Sequence, residues 1–211
     1  MYFINFRALR VPEIIYICIK SLHMKGLLTI ASFFVLQLAG AQNSKLPPLD
    51  KSPMDMSYYP VNFPLQKIQG KVIEPLIMRL VYSRPQLNGR RVFGELQEYG
   101  KVWRLGANEA TEIEFFKDVK VNNKRVKKGR YTLYCIPYLD KWTIIINKET
   151  DTWGSFAYDQ AKDVVRMDIP TSRNEATEAL TIVFDKSASG ADMSMYWDDV
   201  KATLPIVFET K

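Results

Sequence analysis

Between Leu76 and Phe208 side-chain character repeats with a period of two, and that period admits strands and little else. Met78, Leu80 and Tyr82 alternate with Arg79, Val81 and Ser83, and Arg130–Pro137 alternates around Tyr131, Leu133 and Cys135. Lys141–Asn147 carries Trp142-Thr143-Ile144-Ile145-Ile146, the β-branched content of a buried strand. Shorter runs cover Thr111–Phe116, Val119–Asn122, Asp163–Ile169, Ala179–Phe184, Met193–Trp197 and Ala202–Phe208. Turn chemistry separates them, with Asn122-Asn123 and Lys127-Lys128-Gly129 as the clearest signals. Such close spacing belongs to a sandwich or barrel and not to βαβ units. The expected fold is all-β, an antiparallel β-sandwich (jelly-roll-like) over residues 65–211. Helical turns fit only at Phe93–Tyr99 and Asp159–Asp163.

Upstream the pattern changes. Lys25, the apolar run Gly26–Leu38 and Ala39-Gly40-Ala41 have the order and proportions of a secretory signal peptide, with Ala39 and Ala41 at the cleavage site. The apolar run falls short of the roughly 20 residues that cross a bilayer, and no cysteine follows to take a lipid. Residues 24–41 therefore read as the signal and residues 1–23 as an upstream segment from a misassigned start. A rival reading joins Val11–Ile19 to the later run as a longer anchor, against the interruptions Pro12, Glu13, Lys20 and Lys25. The expected setting is exported, periplasmic or secreted, with no stable membrane span after processing. Exported protein should begin at Gln42, and amino-terminal sequencing that finds Met1 or Met24 on exported material would refute this. Residues 42–64 hold Pro47, Pro48, Pro53, Pro60 and Pro64, which exclude a regular helix or a central strand. They read as a linker that ends in an extended packing arm around Met54–Tyr59.

Processing narrows the chemistry. Cleavage after Ala41 removes His23, the one histidine, and Cys18, one of two cysteines. Without an imidazole, Ser-His-Asp and Cys-His catalysis fall away, as do histidine-ligated zinc, copper and non-haem iron. No cofactor and no metal site is expected: Asp198-Asp199, Glu112/Glu114 and Asp151/Asp159 lack the loop spacing of a calcium motif. Cys135, inside an apolar strand, reads as a core thiol. The removed piece also carries Arg7, Arg10, Lys20 and Lys25 against Glu13, half of the formal charge of +6. Basicity is then no argument for nucleic acid. Lys124-Arg125, Lys127-Lys128 and Arg130 bracket a turn without interleaved aromatics, as a solvated hairpin does. Ser189-Gly190-Ala191-Asp192 has the look of a pyrophosphate loop, but alternation continues into Met193, Met195 and Trp197 where that loop needs a helix.

The richest stretch runs from Ser83 to Thr111. It gathers four glycines with Arg84, Arg90, Arg91, Arg104, Trp103, Asn108 and Glu109. Arginines beside an aromatic face suit planar anions or sugars through paired hydrogen bonds and stacking. The alternative is a structural network in which Glu95, Glu98 and Glu109 neutralise the arginines. A second cluster holds Trp142, Trp153, Phe156 and Tyr158. Exposed aromatics of this kind hold sugar rings in carbohydrate-binding modules, and in many domains they merely cap a core. The ligand-binding candidates are therefore Arg84, Arg90, Trp103, Arg104, Asn108, Glu109, Trp142 and Trp153. A carbohydrate or an anionic small molecule is the expected partner, and nucleic acid is not. A scaffold without a ligand is the second reading, and a carboxylate-dependent enzyme such as a glycosidase or lyase the third.

Several motifs occur together: Tyr82-Ser83-Arg84-Pro85, Asn88-Gly89-Arg90, Phe93-Gly94-Glu95-Leu96, Tyr99-Gly100-Lys101-Val102-Trp103-Arg104 and Gly106-Ala107-Asn108-Glu109-Ala110-Thr111. Gly129-Arg130-Tyr131-Thr132-Leu133, Trp142-Thr143-Ile144-Ile145 and Trp153-Gly154-Ser155-Phe156 complete the set. From about Ser52 onward the chain resembles domain of unknown function family 2911, a group of exported proteins common in Bacteroidota. The resemblance implies an envelope or secreted setting. It implies no activity, cofactor or catalytic residue.

Overall fold

The computed structural model describes residues 46–209, and Leu49–Lys211 form one compact unit that holds the hydrophobic core. The expected signal segment and its cleavage residues Ala39 and Ala41 lie outside the described residues, as does the upstream segment. The described residues are mostly β, and every pairing between the named strands is antiparallel. In order come β1 (Met54–Tyr59), α1 (Phe63–Ile68), β2 (Met78–Ser83), β3 (Glu112–Phe115), β4 (Val119–Val121) and β5 (Lys124–Val126). Then follow β6 (Gly129–Pro137), β7 (Lys141–Asn147), β8 (Asp163–Lys186) and β9 (Gly190–Phe208). They join edge to edge in one sheet of nine strands, in the order β1-β2-β3-β6-β7-β8-β9-β4-β5.

A single sheet becomes two packed layers because its longest hairpin bends. The first third of β8 pairs with β7, and the remainder pairs with β9. Register shifts between Arg173 and Thr177, and again before Thr181, mark the bend, with Asp198 opposite it in left-handed conformation (φ 56°). Bulges of this kind kink a ribbon and raise its twist. The far half of the hairpin thereby returns to the start of the sheet. There Leu87 N–H donates to the Glu178 carbonyl at 2.8 Å, Leu180 N–H to Pro85 at 3.0 Å, and Ile182 N–H to the Tyr82 hydroxyl at 3.1 Å. Ser57 Oγ donates to the Ile182 carbonyl as well. The two layers are thus one open sheet folded over on itself and not two separate sheets.

The core lies between the layers. Met78, Leu80 and Tyr82 of β2 face it, as do Leu133 and Cys135 of β6, Trp142, Ile144 and Ile146 of β7, and Met193, Met195 and Trp197 of β9. These are the alternate positions that the period of two marks. A smaller cluster on the opposite face of β6 and β7, Ala110 with Tyr134 and Ile145, is roofed by Val102 and Tyr158 from two loops. Burial pushes the Cys135 thiol well above its usual pKa, so it stays protonated. Asn122 and Asn123 turn the β4–β5 hairpin with both φ angles positive, and Val119, Val121 and Val126 point inward while Lys124 and Arg125 face solvent.

Two local expectations are corrected, and the extended arm around Met54–Tyr59 takes a definite form. Met54–Tyr59 is a true edge strand, paired with β2 from Met54↔Ser83 to Tyr59↔Met78. Prolines at its flanks do not interrupt the ladder. The proline-rich stretch also ends inside a helix, because Pro64 occupies the first turn of α1, where its missing N–H costs nothing. Phe93–Tyr99 holds no helix; Gly94 turns the chain there at φ 90°, and only Gln160–Lys162 forms a single 3-10 turn.

Candidate functional site

The outward face of β2, β3 and β6 carries Arg79, Glu112, Glu114 and Arg130, and a cleft opens over it. Arg79 of β2 stands opposite Glu114 of β3, and Glu114 in turn opposite Arg130 of β6. Arg79 reaches Glu114 at 2.6 Å, and Arg130 meets Glu112 at 3.4 Å and Asp151 as well. Opposite charges directly across a ladder are mutually supporting. Met54 and Val81 add apolar floor, and Glu109, Ala110 and Thr152 close one end, to give a volume of about 290 Å³. Four carboxylates thus meet two guanidiniums. The cleft is acidic on balance, and Glu109 has no ion pair among the described residues.

Two loops build the rim, and main-chain bonds hold them together. Ala110 N–H donates to Thr152 at 2.9 Å and Gly154 N–H to Asn108 at 2.9 Å, which sets Glu109 beside Trp153 as an isolated bridge. Asn108 adopts φ 58°, a conformation asparagine tolerates well, and its Nδ2 donates to Asp50 at 2.8 Å. Asp151 sits at φ 60°, with its N–H on Glu112 Oε1 at 2.6 Å. Trp153 is 61% exposed, while Trp103 and Trp142 are 2% and 1%. Trp153 is not itself a lining residue of the cleft; it adjoins Thr152, which is, and presents an open aromatic face there.

Of the eight residues named from sequence, the structure brings Asn108, Glu109 and Trp153 together at this rim. Trp103 and Trp142 belong to the core, where Trp103 stacks on Trp197 at 5.6 Å and meets Trp142 edge-on at 6.0 Å. A ligand-facing role for these two is corrected by their burial. Arg84 is a clamp: it bonds Asp55 at 3.0 Å, the Leu180 carbonyl at 3.1 Å and Thr181 Oγ1 at 2.9 Å, tying β1 to the returning half of β8. Arg90 staples its own turn through the Leu87 and Gln86 carbonyls at 2.9 and 2.8 Å. Of Arg84, Arg90, Trp103 and Glu109, only Glu109 lines the cleft over β2, β3 and β6.

Arg104 is the outlier. It is half-buried, burial alone pulls its guanidinium below its usual pKa, and its Nε meets no acceptor. No carboxylate pairs with it among the described residues, and it does not line the cleft. Replacing Arg104 by Met should therefore leave stability unchanged or raise it by up to about 1 kcal/mol, since an unsatisfied buried donor is removed. Urea denaturation reads this. A loss of 3 kcal/mol or more, as the rupture of a buried ion pair would give, would show that Arg104 has a structural partner after all.

Arg79, Glu114 and Arg130 were not among the candidates. Their signal was present as charged residues at the outward positions of three strands that the fold makes neighbours, with Arg79 and Glu114 35 residues apart in sequence. Among the described residues no cluster of three carboxylate, cysteine or histidine side chains is arranged to hold a metal ion. A second cleft, of about 240 Å³, lies at the bend between β8 and β9, where Arg173 pairs with Asp199.

The family model described as protein of unknown function (DUF2911) matches residues 64–206, from the first turn of α1 into the last stretch of β9. No curated protein and no solved structure matches the chain.

Proposed function

We propose a ligand-binding role for this chain, which belongs to the DUF2911 family of proteins of unknown function. The ligand is a neutral, polyhydroxylated molecule of sugar type, held in the cleft over β2, β3 and β6 with Trp153 stacked on one face. One observation carries the reading: the main-chain bonds of Thr152 and Gly154 hold the exposed Trp153 opposite Glu109, which lines that cleft. Paired carboxylates and guanidiniums present fixed acceptors and donors to hydroxyl groups, and an aromatic face supplies the apolar contact a sugar ring needs. An anionic ligand is disfavoured there, since four carboxylates outnumber two arginines. The setting is the periplasm or the exterior, on the strength of the signal pattern between Lys25 and Ala41.

Fluorescence isolates the residue in question. Trp103, Trp142 and Trp197 are buried, so acrylamide should quench Trp153 and spare the others. Neutral oligosaccharides should protect this quenchable fraction and raise the melting temperature, and the Trp153→Ala protein should show neither effect. At a ligand concentration of a hundred times Kd, the stabilisation is about 2.7 kcal/mol. If no neutral glycan protects Trp153, or if uronic acids protect it equally, the reading fails. The paired charges would then be structural, as in the scaffold reading.

A further inference from the structure

We propose that the connection from β1 to β2 is a docking element for an anionic lipid surface. Chain that joins two neighbouring strands usually turns polar side chains outward. This one does the reverse. No residue of α1 is buried, and Leu65, Ile68 and Ile73 are 54%, 85% and 97% exposed. Scattered exposed leucines carry no meaning, but here they crowd into a span of nine residues.

The connection is also held in place. Lys71 N–H closes on the Gln66 carbonyl at 2.9 Å past the turn at Gly70 (φ 65°). At its base Ile77 N–H donates to Tyr59 at 2.9 Å, and Phe116 N–H to Ile77 at 2.9 Å. The exposed Phe116 ring therefore stands at the same end of the sheet. The element is a fixed apolar tip and not a loose loop.

Charge selects the occupant. Lys67 and Lys71 lie among these apolar residues, exposed and without an ion pair among the described residues, with Glu74 as the one acid of the connection. Exposed apolar side chains interleaved with lysine are the composition of an interfacial element that rests in the headgroup layer. A protein groove reads a helix through anchors at i, i+3, i+4 and i+7. With six residues, α1 is too short to present them. Among the described residues no helix is long and apolar enough to cross a membrane, so contact is with the surface. The cleft extends from Arg79, whose guanidinium lies 5.9 Å over the Phe116 ring, to Met54 and Glu109 at the other end of β2, and docking leaves that far end open to water.

The test is vesicle sedimentation with the chain from Gln42 onward, which keeps the whole compact unit Leu49–Lys211 and omits the apolar run Gly26–Leu38. Vesicles of a zwitterionic lipid are compared with vesicles in which about a third of the lipid is phosphatidylglycerol. Binding should favour the anionic vesicles. Lys67→Gln with Lys71→Gln should weaken it by about 30-fold, from the worth of two lysines near such a surface. Ile68→Asp with Ile73→Asp should abolish it while the melting temperature holds, because both side chains face solvent. Equal sedimentation of the parent chain and both variants would overturn the proposal. So would absence of vesicle binding together with self-association, read by ultracentrifugation, that Ile68→Asp with Ile73→Asp removes; the tip would then seat a second copy of the chain.

Discussion

Trp103→Ala is expected to cost about 3–5 kcal/mol, the range for truncating a buried large aromatic. The indole sits where four aromatic rings meet: Trp197 at 5.6 Å and 21°, Trp142 at 6.0 Å and 88°, and Phe93 at 6.1 Å and 75°. Its main chain exchanges hydrogen bonds with Cys135 at 2.7 and 2.8 Å, and its Nε1 donates to the Gly106 carbonyl at 3.0 Å. Truncation removes the ring contacts, opens a cavity between the two layers and leaves that carbonyl without its donor. Because a domain of this size is stable by only about 5–15 kcal/mol, the variant should be near the edge of folding. Trp197→Phe makes a sharp contrast, because Trp197 Nε1 is buried without a partner. The smaller ring loses contact area but also removes an unsatisfied donor, so its cost should be well below that of Trp103→Ala. Urea midpoints at constant m-value separate the two. A Trp103→Ala protein of near-parent stability with an altered glycan response would return Trp103 to the ligand site.

How far the molecule was legible depends on where burial follows a period. Trp142 shares its parity with Ile144 and Ile146, so its inward direction was implicit in the strand, and β7 takes the bounds Lys141–Asn147 read from its β-branched run. Trp103 has no such guide. It lies between Gly100 and Gly106 in a connection without periodicity, and only tertiary contact decides which side faces the core. The two halves of β8 read as separate strands for a related reason. From Ser172 to Ala176 every residue is exposed, so the ribbon shows no apolar face where it crosses between layers and bends. The cleft was hidden by topology: Arg79 and Arg130 become near neighbours only because β3 inserts between β2 and β6. The rim was partly visible, since Asn108, Glu109 and Trp153 combine turn chemistry with residue types that bind. What no linear reading supplies is that residues 108–110 and 152–154 bond to each other.

Gly190→Ala should destabilise the protein by about 3 kcal/mol or more, although it adds one methyl group to a residue near a hairpin end. In sequence Gly190 belongs to a stretch with the look of a nucleotide loop, and its glycine would then serve a phosphate. The fold gives it another task. Because the β8–β9 hairpin bends, the two ends of β9 come together, and Phe208 N–H donates to the Ser189 carbonyl at 2.9 Å. A Cβ at Gly190 would lie 2.1 Å from the Ile206 carbonyl oxygen and 3.0 Å from Phe208 N. Both are main-chain atoms, so no rotamer change relieves the clash, and one end of β9 must move away from the other. That movement strains the closure of the layers around Ala191, Leu204 and Ile206, all of them core residues. Overpacking against rigid neighbours commonly costs about 1–3 kcal/mol, and contact with backbone belongs at or beyond the upper end. Gly89→Ala provides the comparison: it has φ 72° but nothing within 4 Å, so it carries only the left-handed penalty of about 1–2 kcal/mol. Thermal and urea unfolding of the pair should rank Gly190→Ala clearly below Gly89→Ala. The reverse order would mean that the ends of β9 do not close on each other, and that the layers are held by the bonds that join Ser57, Tyr82, Arg84, Pro85 and Leu87 to the returning half of β8.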